Sequence, residues 1–219
     1  VSMLSAAALM AGYDGPSELV NAQSVQGLPT VGLYLGQLVL AALAVLLVSA
    51  GRTRSTRTVA PRRMPALIAT ALLAALVGAT VGVAGRFASY VAIQPILASH
   101  DLDFALGSAE FWTSMGGVAL HFALIAVMAV AIGSLLRTRA AGILAVIGLL
   151  FVAPMTLWLI PGDVAARLVN YLPSEAGTQL LLAEVLPGDL THLQGGLILA
   201  VWAFVPFALA LWRVRRNEG

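Results

Sequence analysis

The chain has no cysteine and no lysine, and few charges of either sign. Without cysteine there are no disulfides, thiolate metal sites or sulfur nucleophiles. Without lysine there is no G-x-x-x-x-G-K-S/T phosphate loop, so this chain does not hydrolyse nucleotide through one. An H-E-x-x-H zinc-hydrolase pair is also missing. Charged residues make up 10% of the chain, where a soluble domain carries roughly 25%. A hydrophobic content of 60% and a mean hydropathy of +0.94 leave little room for a soluble helical bundle. One more absence matters: none of the long apolar stretches contains Asp or Glu. Ion-coupled carriers commonly place such acids at membrane depth, which disfavours a coupled secondary transporter.

The charge that is present is sorted along the chain. All twelve basic residues are Arg, and ten fall in three clusters: Arg52, Arg54, Arg57, Arg62 and Arg63; Arg137 and Arg139; Arg213, Arg215 and Arg216. Nine of the ten acids lie before the first of those clusters or between them: Asp14, Glu18, Asp101, Asp103, Glu110, Asp163, Glu175, Glu184 and Asp189. Arg86, Arg167 and Glu218 break the alternation. Basic connections beside apolar segments resist translocation and stay cytoplasmic. The expectation is a multi-pass protein of the plasma (cytoplasmic) membrane with a cytoplasmic C-terminus. The pI near 9.5 then reflects arginines drawn to anionic lipid, at about 1 kcal/mol each near the surface. It does not mark a nucleic-acid surface.

A membrane helix needs about 20 apolar residues. Five segments meet this in full: 31–50, 65–85, 111–136, 141–160 and 196–212. Residues 1–12 are apolar but short, and read either as a signal-peptide core or as part of a first span. The predicted fold is an all-α, polytopic helical membrane protein. It forms a single transmembrane domain over 1–219, with five complete transmembrane helices, a partial first one and short outer-surface helices. Residues 51–63 form a cytoplasmic loop and 161–194 an outer loop, in which Ser174 is placed to cap a short helix. Trp112, Trp158 and Trp212 fall near interfaces, as aromatic belts do. Arg86 comes about 34 Å along the helix from Arg63, at outer headgroup level. It reads as an interfacial anchor or as a partner of Asp101, Asp103 or Glu110. Phe87 to Leu97, with Pro95 inside, either lies along the outer surface or extends the helix with a kink. The G-x-x-x-G pairs Gly32/Gly36 and Gly78/Gly82 read as helix packing.

Few polar groups lie at membrane depth: Gln37, Thr70, Thr80, His121, Ser134 and Thr156. Thr80, His121 and Ser134 are the residues placed to line a pathway or to hold helices together. A polar side chain there is a functional candidate by default. The competing reading of His121 is a neutral imidazole bonded to a neighbouring helix, and Ser and Thr usually bond their own backbone. Ser114 and His121 stand roughly 10 Å apart along one helix, too far for a nucleophile and its base. His100 with Asp101 and Asp103, and His192 near Asp189, read as solvated turns in preference to cation sites.

Several runs in order carry a family likeness. They are the Arg/Thr loop ending Thr58-Val59-Ala60-Pro61-Arg62-Arg63; Gly133-Ser134-Leu135-Leu136-Arg137-Thr138-Arg139; Leu149-Leu150-Phe151-Val152-Ala153-Pro154; Asn170-Tyr171-Leu172-Pro173-Ser174-Glu175-Ala176-Gly177; and the Arg-rich tail. From about Leu33 onward the chain resembles the permease subunits of ABC-2 type transporters. Departures are the reduced first span, and Ser49-Ala50-Gly51 where related chains often carry an acid. The resemblance implies a membrane subunit of an ATP-driven exporter, not itself an enzyme, paired with a second permease as homo- or heterodimer. It implies a separate nucleotide-binding ATPase that carries the ATP and Mg, with no cofactor on this chain. It further implies that Arg52, Arg54, Arg57, Thr58, Pro61, Arg62 and Arg63 couple to that ATPase. A non-transporting membrane scaffold or sensor is the alternative.

Overall fold

Backbone N–H and C=O groups in hydrocarbon must be paired, and a continuously apolar segment of about 20 residues does this within itself as a helix. The computed structural model follows this rule. It describes residues 22–54, 63–98, 109–136, 138–181 and 190–216. Among them every regular element is helical. Helix α1 is Ala22–Arg54, α2 Arg63–Ala98 and α3 Ala109–Leu135. Helix α4, Arg139–Ile147, passes through a π-helical turn, Gly148–Val152, into α5, Ala153–Trp158. Two short helices follow, α6 (Asp163–Val169) and α7 (Pro173–Thr178), and then α8, His192–Arg216.

Among the described residues four helices are long and apolar enough to cross a membrane: Met64–Ala92, Phe111–Leu135, Arg139–Trp158 and His192–Arg216. The first expected complete span is helical as part of α1, but its described apolar stretch, Tyr34–Ala50, falls short of that length. Four of the five expected complete spans are thus met among the described residues and the count of five is not confirmed; residues 1–12 lie outside the described residues. Helix boundaries also differ from the apolar windows. Helix α1 continues to Arg54, α2 runs unbroken through Pro95 to Ala98, and α8 includes all three terminal arginines. Arginine and threonine end the apolar run without ending the helix, because arginine is a good helix former and threonine a tolerable one. Arg139 and Ala140, which lie between the expected spans 111–136 and 141–160, open α4 behind an N-cap in which Thr138 Oγ1 accepts from the Ala141 N–H at 3.1 Å. The π turn ends just before Pro154. Proline lacks the N–H that an α-helical bond to Leu150 would use, and a wider turn absorbs the misfit.

Helix α3 is the axis of the bundle. It touches α1, α2, α4, α7 and α8, and 67% of its apolar window is buried, against 28% or less for the other three spans. Every residue from Leu124 to Ala131 is buried, so a whole circumference of α3 faces protein. One stripe of α2 meets it: Leu67, Ala71, Ala74, Gly78, Gly82, Arg86 and Tyr90 are buried at steps of three and four. The other faces of α2, α5 and α8 expose Leu, Val, Phe and Trp throughout. Such a surface suits lipid or another apolar protein, and gives the chain the build of a helical membrane protein.

The ends of the bundle differ in charge. Val45 and Val48 of α1 lie against Gly133 near the end of α3, and Val45 also against Gly142 of α4. Arg213 of α8 donates from Nη1 to the Leu135 carbonyl at 2.6 Å, and Arg216 lies over the Trp212 ring at 5.5 Å. The ends of α1, α3 and α8 and the starts of α2 and α4 thus gather at one arginine-rich end. Exposed Trp112 and Trp158 mark the opposite, far end.

Candidate functional site

The polar groups buried in the bundle collect in its far half, around a segment read from sequence as an outer loop. Helix α7 and the turn after it, 173–181, are driven into the bundle as a wedge. Pro173, Ser174, Ala176, Gly177, Gln179 and Leu181 are buried. The wedge runs along one face of α3, pairing Leu181 with Ser114, Leu180 with Gly117 and Gly177 with His121. On α3 those three positions are three and four residues apart, a single helical face. Small residues make the fit. A Cβ at Gly117 would collide with the Leu180 carbonyl, and one at Gly195 of α8 with the Ala176 carbonyl. Close backbone approach of this kind is how membrane helices gain contact without a hydrophobic driving force.

His121 is 2% exposed and sits near mid-bundle. Its Nε2 lies 3.1 Å from Gln37 Oε1 of α1. An amide oxygen only accepts, so Nε2 carries the proton and Nδ1 is a bare acceptor. That Nδ1 faces the Gly177 backbone without closing a hydrogen bond. His121 therefore bonds a neighbouring helix, and touches α1, α3 and the wedge at once. Phe122, beside it, fills the notch between Gly36 of α1 and the Gly78/Gly82 pair of α2. Gly78/Gly82 is thus a packing surface within one chain; Gly32 lies outside the residues whose surroundings are described.

Arg86 stands nearer the far end. Instead of reaching outward as an interfacial anchor, it is 8% exposed and donates from Nη2 to Ser114 Oγ at 2.9 Å. Ser114 Oγ in turn donates a hydrogen bond to the Leu181 carbonyl at 3.3 Å. Arg86, Ser114 and the wedge are thus one chain of bonds, and Ser114 has no link to His121. The side chains of Asp101, Asp103 and Glu110 lie outside those described. The far end of the wedge is fastened by His192, whose Nδ1 donates to the Gln179 carbonyl at 2.6 Å. This replaces its reading as a solvated turn. Ser174 does not cap α7: the N-cap is Leu172, with no side-chain cap bond, and Ser174 Oγ is buried without a partner. Glu175, on the same wedge, faces Tyr34 of α1 together with Thr178. Burial pushes its carboxyl above the ordinary carboxylate range.

The other expected site residues are spread out. Thr80 lies on an exposed face of α2 and bonds Leu76 and Val77 carbonyls of its own helix at 3.0 and 2.9 Å. Ser134 bonds the Ala131 carbonyl at 2.7 Å near the arginine-rich end. Neither meets His121. Arg52 and Arg54 fall in the last turn of α1, and Arg63 opens α2. Arg57, Thr58, Pro61 and Arg62 lie outside the described residues, as does His100. Among the described residues no group of three His, Cys, Asp or Glu gathers to hold a metal. The wedge was hidden in the sequence because Pro, Ser, Glu and Thr read as a loop. The available signal was Gly117, Gly195 and Gly196, small residues that admit Ala176, Gln179 and Leu180 of the wedge.

Compared with protein-family models, with characterised proteins and with solved structures, the chain matches none.

Proposed function

We propose that this chain is the membrane subunit of an ATP-driven ABC-2 type exporter, working with a second permease and a separate ATPase. The observation that carries the reading is the basic connection between α1 and α2. Helix α1 keeps its helical form beyond its apolar stretch to Arg54, and α2 begins at Arg63. Two long helices thus frame a short arginine- and threonine-rich segment. The helix ends that frame it share an end of the bundle with Arg139 and the arginines of α8. The resemblance given above assigns the ATPase contact to this segment.

The chemistry fits that role. Guanidinium groups form forked, charge-assisted bonds with carboxylates and backbone carbonyls of a cytosolic partner. A rigid helix on each side transmits displacement of the segment into the bundle. ATP and Mg belong to the partner, which closes on nucleotide. Differential contact of the segment with the open and closed partner would shift the bundle between two conformations. With the arginine-rich end in the cytoplasm, the wedge and its polar groups face outward. Exposed apolar faces on α2 and α8 leave room for a second permease.

The test is co-purification from native membranes, in the presence of trapped nucleotide. Wild-type protein should bring down an ATPase, and a chain with Arg52, Arg54, Arg57, Arg62 and Arg63 all changed to Glu should not. An unchanged yield of ATPase with the altered chain would contradict the proposed coupling. Isolation of a stable protein with no ATPase at any nucleotide state would favour the scaffold alternative.

A further inference from the structure

Arg86 occupies a place where an apolar side chain is expected. It belongs to the buried stripe of α2, one turn from Gly82 on one side and one turn from Tyr90 on the other. Tyr90 meets Phe111 of α3 edge to face at 5.0 Å, walling the site on the far side. A buried guanidinium is costly unless its charge and its donors are matched. Arg86 has one match among the described residues, the neutral hydroxyl of Ser114. That hydroxyl is already committed to the Leu181 carbonyl. Nη1 is buried with no hydrogen-bond partner. The site therefore has an unused donor, and among the described residues no carboxylate balances its charge.

Depth narrows what can fill it. Arg86 lies 22 residues beyond Met64, about 33 Å along the helix. The hydrocarbon of a bilayer is about 30 Å thick, so the guanidinium is level with the headgroups at the far face. Next to it the outer surface is apolar: Phe87 and Val91 on α2 and Trp112 on α3 are exposed. An oxyanion reaching Nη1 at that depth, with its tail lying on those side chains, is an amphiphile.

We infer that the junction of α2, α3 and the wedge at Arg86 binds the oxyanionic headgroup, phosphate or carboxylate, of a membrane amphiphile. Nη1 supplies the direct hydrogen bond. Ser114 is a positioning residue: it holds Nη2 and leaves Nη1 turned to the ligand, and its own bond to Leu181 ties ligand binding to the wedge. This site is independent of the proposed ATPase coupling, since it requires no nucleotide and no partner chain.

Delipidated wild-type protein in neutral detergent is titrated with phosphatidylglycerol, with phosphatidylcholine and with inorganic phosphate, and bound lipid is counted by native mass spectrometry. Phosphatidylglycerol should be retained roughly tenfold more tightly than phosphatidylcholine, whose cationic choline compensates its phosphate. Arg86→Gln should abolish the preference, and Arg86→Lys should keep part of it, as a charge without the planar fork. Equal retention of the two lipids by wild-type protein would overturn the assignment, and this arm requires no variant to fold. So would an undiminished preference in Arg86→Gln. Inorganic phosphate displacing the lipid at equal concentration would show a free-anion site and overturn the amphiphile assignment. Loss of folding on neutralising Asp101, Asp103 or Glu110, matched by Arg86→Gln, would show that the guanidinium is paired within the chain, and would overturn it as well.

Discussion

The two halves of α3 are held in different ways. From Phe122 to Ala131 the helix is packed nearly all round by apolar side chains and small residues of α1, α2, α4 and α8. From Phe111 to His121 only Ser114, Met115, Val118 and His121 are buried. There contact comes from glycine-lined backbone approach and a few bonds to Arg86, Gln37 and the wedge. The first half gains many small dispersion terms and leaves no polar group at a loss. The second leaves Arg86 Nη1, His121 Nδ1, Ser174 Oγ and Gln179 Oε1 unmatched, each an expense in a low-dielectric setting. The apolar half anchors the fold, and the polar half is held by fewer and costlier contacts.

This contrast sets a ranking of substitutions. Phe122→Ala, in the apolar half, empties the notch between α1 and α2 and should cost about 3–5 kcal/mol; thermal unfolding in detergent should show the largest drop of the series. Gly117→Val strikes the wedge instead. Its Cβ has nowhere to go against the Leu180 carbonyl, and overpacking of this kind costs about 1–3 kcal/mol. Protease should then cut within 173–181 while the bundle stays folded. Loss of the whole bundle at that substitution would show that the wedge is structural cement, and the contrast between halves would fail. Gln37→Leu removes one hydrogen bond, worth about 0.6 kcal/mol and at most about 1.7 inside a membrane. It should lower the unfolding midpoint slightly and leave the wedge protected.

The smallest effect is one of pH. Burial raises the Glu175 carboxyl in the folded chain, so the folded state holds this proton more tightly than the unfolded state. Stability from this group is highest in acid and falls as pH rises from the ordinary value near 4.5 toward the raised folded value. Glu175→Gln should flatten that slope in a stability-versus-pH series. A slope that persists unchanged would assign it to another group.

How much of this was legible beforehand follows from the physics of each signal. Apolar length predicts where membrane helices lie, and 111–136 and 141–160 come within a few residues of α3 and α4–α5. It does not predict where helices end, because the backbone continues through Arg54 and past Ala92 once outside the apolar run. The Arg/acid alternation sorted the connections into two sets, and the Val48–Gly133 and Arg213–Leu135 contacts gather the described ends accordingly. His121 and Gln37 were both visible as polar residues at depth, but their pairing spans 84 positions and no periodicity reports it. Arg86 illustrates the opposite error. Helix rise gives its distance along α2, while rise says nothing about which face a side chain occupies. The wedge was missed because its polarity and its Pro173 belong equally to a surface loop, and only its partners distinguish the two.

The account rests on the arginine-rich end facing the cytoplasm. Because the chain has no cysteine, single cysteines report sidedness without background. Thr56→Cys, in the basic connection, and Val164→Cys, exposed on α6, are treated in intact cells with a membrane-impermeant maleimide. Labelling of Val164→Cys at once, and of Thr56→Cys only after the cells are opened, is the predicted result; immediate labelling of Thr56→Cys in intact cells would contradict it.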